Sequence, residues 1–248
     1  MKNILLLVVS IILVLISCKS DTTSSVTTAE TTVEVSFVPR VNNQPIVLNK
    51  LYPFQGKDSI MVSRLDFYVQ YPYFTSDKNE TYELNNVSLI SFANQNTKIK
   101  QVTKPTASSF VQFNFIAGLD DMTNSTNPTS VSDTNPLHSS FNMYWTEWTK
   151  YRFIVFEGTI KREDNKYINF AYHTGLQFKK ESLVKNNFQI SQGKSNTISC
   201  FLNIEKIFFP ADGNNLKVLD GEDFSHADPS DIVVTMKFLT NFSNAFSI

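Results

Sequence analysis

The stretches that decide the fold are YRFIVFEGTIK at residues 151–161 and YINFAYHT at residues 167–174. Both are rich in β-branched and aromatic side chains, which pack well on the pleated surface of a sheet. The polar segment Glu163-Asp164-Asn165-Lys166 separates them and is typical of a turn. We therefore predict two strands here, with a turn between them.

Similar stretches lie on both sides of this pair. Residues 33–38 alternate apolar and polar side chains, as a half-buried strand does. Further strand candidates are residues 59–73, 87–92, 109–117, 195–209 and 232–238. Residues 118–143 form a long segment without clear periodicity, and residues 242–246 suggest a short helix. The sequence predicts an all-β fold, a single-domain antiparallel β-sandwich with long loops and a short C-terminal helix.

The composition excludes several classes of protein. The formal net charge of the 248 residues is −1, so there is no basic excess to neutralise phosphates, and we expect no nucleic-acid partner. Hydrophobic residues make up 42% of the chain and include 21 Phe, which is enough for a substantial core. There is no Gly-rich phosphate loop and no Gly-x-Ser-x-Gly elbow. No catalytic constellation is complete, so we expect a protein that is not an enzyme.

The N-terminus has the features of an export signal. Met1-Lys2-Asn3 precedes an apolar run over residues 4–16 that only Ser10 interrupts. This run is shorter than the roughly 20 residues that a membrane-spanning helix needs. Its end, Leu15-Ile16-Ser17-Cys18, resembles the lipobox of bacterial lipoproteins, in which the chain is cut before the cysteine and the thiol is acylated. The alternative is an ordinary secreted protein in which this cysteine occurs by chance.

From these features we predict three segments. Residues 1–17 are a lipoprotein signal peptide, residues 18–32 are a lipidated flexible tether of polar composition, and residues 33–248 are the folded β domain. Lipid on Cys18 would attach the protein to a membrane of the bacterial cell envelope, as an outer-membrane lipoprotein. Cys200 would then be a lone thiol, and its alternating surroundings predict a buried strand residue.

The side chains most able to bind a metal are three histidines, His138, His173 and His226. Their linear spacing does not define a site, because the chain has no His-x-His or His-Glu-x-x-His motif. A cluster of aromatic residues lies between the first two of them, at Tyr144, Trp145, Trp148 and Tyr151. Such a cluster can stack on a sugar or beside a metal, or it can belong to the core and rim of a sandwich.

The order of several short segments resembles a known family. The segments are Asn135-Pro136-Leu137-His138, Met143-Tyr144-Trp145, Tyr151-Arg152-Phe153, Phe156-Glu157-Gly158 and Tyr172-His173-Thr174-Gly175. In this order they are similar to the MbnP-like proteins, which are named for a copper-binding periplasmic protein associated with methanobactin. Further short segments extend the resemblance over nearly all of residues 33–248.

The resemblance implies an exported, β-rich protein that binds copper through histidine and a tryptophan-derived group. In this family a di-haem partner, related to cytochrome c peroxidases, oxidises that tryptophan to kynurenine. Trp145 matches the first tryptophan of the family's Met-x-Trp-x-Trp segment, and His173 matches the histidine of its His-x-Gly segment. His138 and His226 lie in segments that resemble the family's loop and C-terminal region. The chain departs from the pattern at Glu147, where the family often has a second tryptophan.

The leading hypothesis is therefore a lipid-anchored copper-binding protein. It predicts His173, His138 and His226 as ligands of Cu(I) or Cu(II), and Trp145 as a redox-modified aromatic residue. It also predicts a di-haem cytochrome c peroxidase-like protein as a partner. The alternative is a surface-exposed module that binds a glycan or a protein without metal. Convergence of the imidazoles in the folded chain would favour the first hypothesis, because ligands must lie within about 2 Å of one metal position.

Overall fold

The computed structural model of the chain describes residues 30–146, 150–175, 180–226, 228 and 230–248. The predicted signal peptide, Cys18 and most of the predicted tether lie outside the described residues, as do Glu147 and Trp148. The strands are β1 (Thr31–Val41), β2 (Gln44–Pro45), β3 (Leu51–Phe54), β4 (Asp58–Ser76), β5 (Thr81–Glu83), β6 (Val87–Ser91), β7 (Lys98–Thr103), β8 (Ser109–Ala117), β9 (Tyr144–Trp145), β10 (Lys150–Lys161), β11 (Tyr167–Gly175), β12 (Lys180–Gln189), β13 (Ser195–Asn203), β14 (Phe224–Ser225) and β15 (Phe246–Ser247).

The helices are α1 (Asp121–Asn124), α2 (Ile204–Phe208) and α3 (Ile232–Asn244), and short 3₁₀ turns occur at Ser139–Phe141 and Val218–Asp220. Within the described part of the chain, every helix is too short or too polar to cross a membrane.

The larger sheet is organised around β4, which spans 19 residues. Along one edge of β4 the partners are β10 and then β8, while β3, β6 and β5 pair along the other edge. The register shifts between Gln70 and Tyr73, where Tyr71 has a φ of 50°. Beyond β10 the sheet continues with β11 and β14, and β12 pairs with β8. This continuation carries the candidate site described below.

The smaller sheet is organised around β1. The strand β13 pairs with it in parallel, β7 and β2 pair with it in antiparallel orientation, and β15 follows β13. Alternate residues of β1 are buried, because one face of this strand points at the larger sheet. The ring of Phe37 packs edge-on against Phe67 and Phe115 of the larger sheet, at centroid distances of 5.5 and 5.8 Å. Aromatic contacts of this geometry fill the space between the two layers.

The prediction of an all-β sandwich is confirmed. The sheets are mixed rather than purely antiparallel, because β1 pairs with β13 and β11 pairs with β14 in parallel. Cys200 is fully buried in β13, and burial raises the pKa of its thiol well above the ordinary value. A short C-terminal helix was predicted at residues 242–246, and the helix present there, α3, begins already at Ile232.

The predicted strand at residues 232–238 is therefore wrong. Its β-branched residues favour a strand, but Thr235, Phe238, Leu239 and Phe242 are buried along one face of α3 at helical spacing. The predicted strand at residues 195–209 is likewise shortened, since α2 replaces its last part. There the side chain of Asn203 accepts a hydrogen bond from the backbone N–H of Lys206 and caps the helix.

The long segment between β8 and β10 is held over the larger sheet by tyrosine hydroxyls. Tyr68 donates a hydrogen bond to the carbonyl of Pro136 at 3.1 Å, and Tyr151 donates one to the carbonyl of Leu137 at 2.8 Å. Both tyrosines are fully buried, and their rings meet edge-on with centroids 5.9 Å apart. The segment that contains His138 is thus attached to β4 and β10.

Candidate metal centre

The pairing of β10 with β11 places Glu157 and His173 on one face of the sheet. Val155 lies directly opposite His173, and Glu157 is two residues further along β10, so its side chain points the same way. Nε2 of His173 lies 2.8 Å from Oε1 of Glu157. The hydrogen bond from His173 lowers the pKa of Glu157 below its ordinary value, so this carboxylate stays ionised.

The same hydrogen bond determines which nitrogen of His173 can act as a donor atom. In the neutral ring Nε2 carries the proton for Glu157, and Nδ1 is left with its lone pair. Nδ1 is buried and has no hydrogen-bond partner within the described residues. Since an unpartnered buried polar atom costs free energy, this nitrogen is the feature of the site that most needs an explanation.

His226 is brought to His173 by the parallel pairing of β14 with β11. Tyr172 pairs with Ser225, and each is followed directly by one of the two histidines. Their imidazole rings stack with centroids 5.0 Å apart and an interplanar angle of 15°. Burial, followed by the neighbouring His173 and with a smaller effect from Arg152, lowers the pKa of His226 below 6.5. His226 is therefore kept neutral, which is the form that binds metals.

Two aromatic side chains approach His226 from the surface. Trp145 belongs to β9, which pairs with the start of β10, and its ring centroid lies 6.3 Å from that of His226. The ring of Phe224 lies 5.7 Å from the same imidazole. Trp145 is 40% exposed and Phe224 is 51% exposed, whereas His173 is 8% exposed. The site is therefore the imidazole pair of His173 and His226. Its inner side is buried, and aromatic rings border its outer side.

A group of charged residues from β4 and β10 lies beside Glu157. Arg64 is directly opposite Glu157 across the sheet, and its Nε donates to the buried carboxylate of Asp66 at 2.6 Å. The guanidinium groups of Arg64 and Arg152 both donate to the backbone carbonyl of Asn142. Burial, and next the nearby Arg64, lower the pKa of Arg152. A positive charge in half-buried surroundings therefore lies close to the imidazole pair.

His138 has a different environment. It caps the 3₁₀ turn Ser139–Phe141, where its Nδ1 accepts from the backbone N–H of Ser140 and lies 2.9 Å from the Ser140 hydroxyl. Over the described ranges, no three His, Cys, Asp or Glu side chains are grouped so that they could hold a metal ion. The structure thus brings together His173, His226 and Trp145, while a ligand set that includes His138 stays a prediction.

Sequence reasoning missed part of this arrangement. It did not identify His173 as the hydrogen-bond partner of the Glu157 carboxylate, and it gave Arg64 and Asp66 no role. Alternation along β10 does place Glu157 on the face of Val155. The missing information was which residue of β11 lies opposite, and this depends on the strand register.

Comparisons with known proteins agree with this fold. The model of the MbnP family matches residues 30–229, a range that contains Trp145 and all three histidines. Among solved structures, MbnP from Methylosinus trichosporium is similar with a TM-score of 0.50 and 15% sequence identity. The similarity covers 72% of this chain and 78% of that chain, and it concerns the fold alone. A search of curated proteins found no match.

Proposed function

The chain belongs to the MbnP family, and from this membership and the geometry of the imidazole pair we propose that the protein binds copper through His173 and His226. Imidazole nitrogen suits copper, and among divalent first-row ions Cu(II) binds such donors most tightly. Trp145 is the aromatic neighbour of the bound ion in this proposal, and the candidate for oxidative modification. The protein would act as a carrier or scavenger of copper rather than as an enzyme.

The observation that carries the proposal is the buried Nδ1 of His173, which has no hydrogen-bond partner in the described part of the chain. A histidine that binds a metal through one nitrogen usually donates its other N–H to a carboxylate or carbonyl group. Glu157 accepts such a hydrogen bond from Nε2. The residue is thus arranged as a metal ligand would be, and His226 supplies a second imidazole in contact with it.

The residues around the pair have separate tasks in this proposal. Glu157 holds the ring of His173 in one orientation and one tautomer, and Asp231 holds His226 by accepting its backbone N–H at 2.8 Å. Trp145 and Phe224 restrict access of water to the pair. Copper held there would supply an ion that can exist in two oxidation states, next to an oxidisable indole.

The proposal extends to location and partner. We propose that lipid on Cys18 anchors the protein to the outer membrane, because the four residues ending at Cys18 resemble a lipobox. We also propose a di-haem cytochrome c peroxidase-like protein as the partner that oxidises Trp145. The 40% exposure of the Trp145 side chain supports this, since an oxidising partner must approach the indole from solvent.

The test is titration of the purified folded domain with Cu(I) and with Cu(II), using a chelator of known affinity as competitor. Native protein should bind one copper ion, and His173→Ala should lose that site. His138→Ala is the comparison variant: a site formed by His173 and His226 predicts near-native affinity, and a three-histidine site predicts a loss. Absence of stoichiometric copper binding by native protein would overturn the proposal.

A second candidate function is a surface module that binds a glycan or a protein without metal. The exposed rings of Trp145 and Phe224 favour it, because aromatic side chains at the surface often form binding platforms. Under this candidate, Trp145→Ala would abolish partner binding while His173→Ala would leave it unchanged. The stacking of two histidines at the same place supports the copper proposal over this one.

A further inference from the structure

Arg152 differs from the other charged residues near the imidazole pair. Arg64 has the carboxylate of Asp66 at 2.6 Å, and Glu157 has the imidazole of His173 at 2.8 Å. No carboxylate forms an ion pair with Arg152 in the described portion of the chain, and its Nε is buried without a hydrogen-bond partner. Its described hydrogen bond goes from Nη2 to the carbonyl of Asn142.

The strand pairings place Arg152 near the imidazole pair. It lies opposite Gly175 at the end of β11, where a bulge in β10 precedes Ile154, and Gly175 is two residues beyond His173. Its neighbours Lys150 and Tyr151 pair with Trp145 and Tyr144. Arg152 therefore lies where β9, β10 and β11 meet, at the end of β11 that follows His173.

A purely structural role does not account for this arginine. The carbonyl of Asn142 that it bonds also accepts a hydrogen bond from Nη2 of Arg64, at 3.2 Å, so that carbonyl has a donor without Arg152. Burying a guanidinium nitrogen without a partner costs free energy. The charge itself is thus the property of Arg152 that the surrounding contacts leave unexplained.

We propose that Arg152 is a specificity-determining residue, whose charge shifts the relative affinity of the imidazole pair toward singly charged copper and away from doubly charged metal ions. The proposal rests on the proposed copper function. Near the pair, the described charged groups are the guanidinium groups of Arg64 and Arg152 and the carboxylates of Asp66, Glu157 and Asp231. Without Arg152, these carboxylates would outnumber the cations by three to one. A doubly charged ion there meets twice the repulsion from Arg152 that a singly charged ion meets.

The consequence is a difference in binding affinity between the two oxidation states of copper. Repulsion from Arg152 weakens binding of Cu(II) and Zn(II) more than that of Cu(I), and it raises the reduction potential of the bound copper couple. Replacing the charge with a neutral amide should change the ratio of Cu(II) to Cu(I) affinity about tenfold, the size expected for one partly screened unit charge in half-buried surroundings. A tenfold change in that ratio equals about 59 mV in a one-electron couple.

The experiment compares Arg152→Gln with Arg152→Lys. Glutamine keeps an N–H donor and removes the charge, whereas lysine keeps the charge and changes the shape. Dissociation constants for Cu(I), Cu(II) and Zn(II) are measured by chelator competition, and the reduction potential is measured by voltammetry. Arg162→Gln is the control for loss of a distant charge. Arg162 directly follows the last residue of β10 and forms an ion pair with Asp58.

We expect Arg152→Gln to gain about tenfold in Zn(II) and Cu(II) affinity relative to Cu(I) and to lower the potential by about 59 mV, with Arg152→Lys and Arg162→Gln close to native. Equal affinity ratios and equal potentials in native protein and Arg152→Gln would overturn the inference. The same holds if Arg152→Lys shifts as far as Arg152→Gln, because the effect would then come from shape. Failure of native protein to bind copper would overturn the proposed function instead.

Discussion

The carboxylate of Glu157 lies 2.8 Å from Nε2 of His173 and so leaves Nδ1 as the donor atom of that ring. We expect Glu157→Ala to weaken copper binding by about 10- to 100-fold, the usual effect of removing a group that orients a metal ligand. Glu157→Gln keeps a hydrogen-bond acceptor without the charge, so its copper affinity should lie between those of native protein and Glu157→Ala. Chelator competition measures both variants, and native affinity in Glu157→Ala would contradict the role.

His226→Ala should reduce copper affinity as strongly as His173→Ala, because each removes one of two stacked imidazoles. Phe224→Ala is the matched control, since Phe224 contacts the same imidazole but offers no donor nitrogen. We expect it to bind copper with near-native affinity. If His226→Ala binds as tightly as Phe224→Ala, the second ligand must come from elsewhere.

Copper binding should quench the fluorescence of Trp145, because its ring lies 6.3 Å from that of His226. Trp145→Phe should lose this part of the quenching while it still binds one copper ion. Trp148→Phe is the control for the other tryptophan in the chain. The quenching curve and an independent metal assay are recorded together, and unchanged quenching in Trp145→Phe would place the ion away from the indole.

Gly158→Ala should destabilise the fold by about 3 kcal/mol. A Cβ at this position would overlap the backbone carbonyl oxygen of Met61 and the ring of Phe170, and the backbone partner cannot move aside easily. Thr159→Ala, at the next and half-buried position, should cost less than about 1 kcal/mol. Denaturant unfolding of both variants gives the free energies. Equal values would show that the register shift between Glu157 and Gly158, where β10 pairs with β4, absorbs the methyl group.

The ion pair of Glu222 with Lys237 should make stability depend on pH. Burial opposes ionisation of Glu222, but the backbone N–H of Lys217 and the ammonium of Lys237 outweigh it and lower the pKa below 4.5. A carboxyl group whose pKa is lowered by folding contributes stability above its unfolded-state pKa and loses it as the pH falls through the folded-state pKa.

Glu222→Gln should therefore be less stable than native protein at pH 7, by about 2 kcal/mol. The difference should shrink as the pH falls from about 4.5 through the lower folded-state pKa, because Glu222 is protonated first in the unfolded chain and then in the native protein. Urea unfolding at pH 7, 5 and 3 measures this. A difference that stays constant over the three values would assign the effect of the substitution to packing.

The local sequence pattern predicted the strands that carry the site. It did not predict which residues face each other at the site, because this depends on the pairing of strands. The strand at residues 109–117 was predicted with the bounds that β8 has, because its alternation and β-formers agree. The helix α3 was not predicted, because Val233 and Val234 favour a strand. The buried face on the opposite side of the helix became evident only from the structure. His173 was chosen by family resemblance, and its partner Glu157 became evident only from the register of β10 with β11.

The two-residue strand β14 has a consequence for how the protein matures. A local motif such as two histidines one residue apart could capture metal ions in a nascent or unfolded chain. Here the second imidazole arrives only after a short C-terminal strand docks beside β11, with α3 packed next to it. Under the proposed function, copper would therefore bind at this place only after β14 has paired with β11, and a chain in which that pairing fails would lack the two-imidazole site.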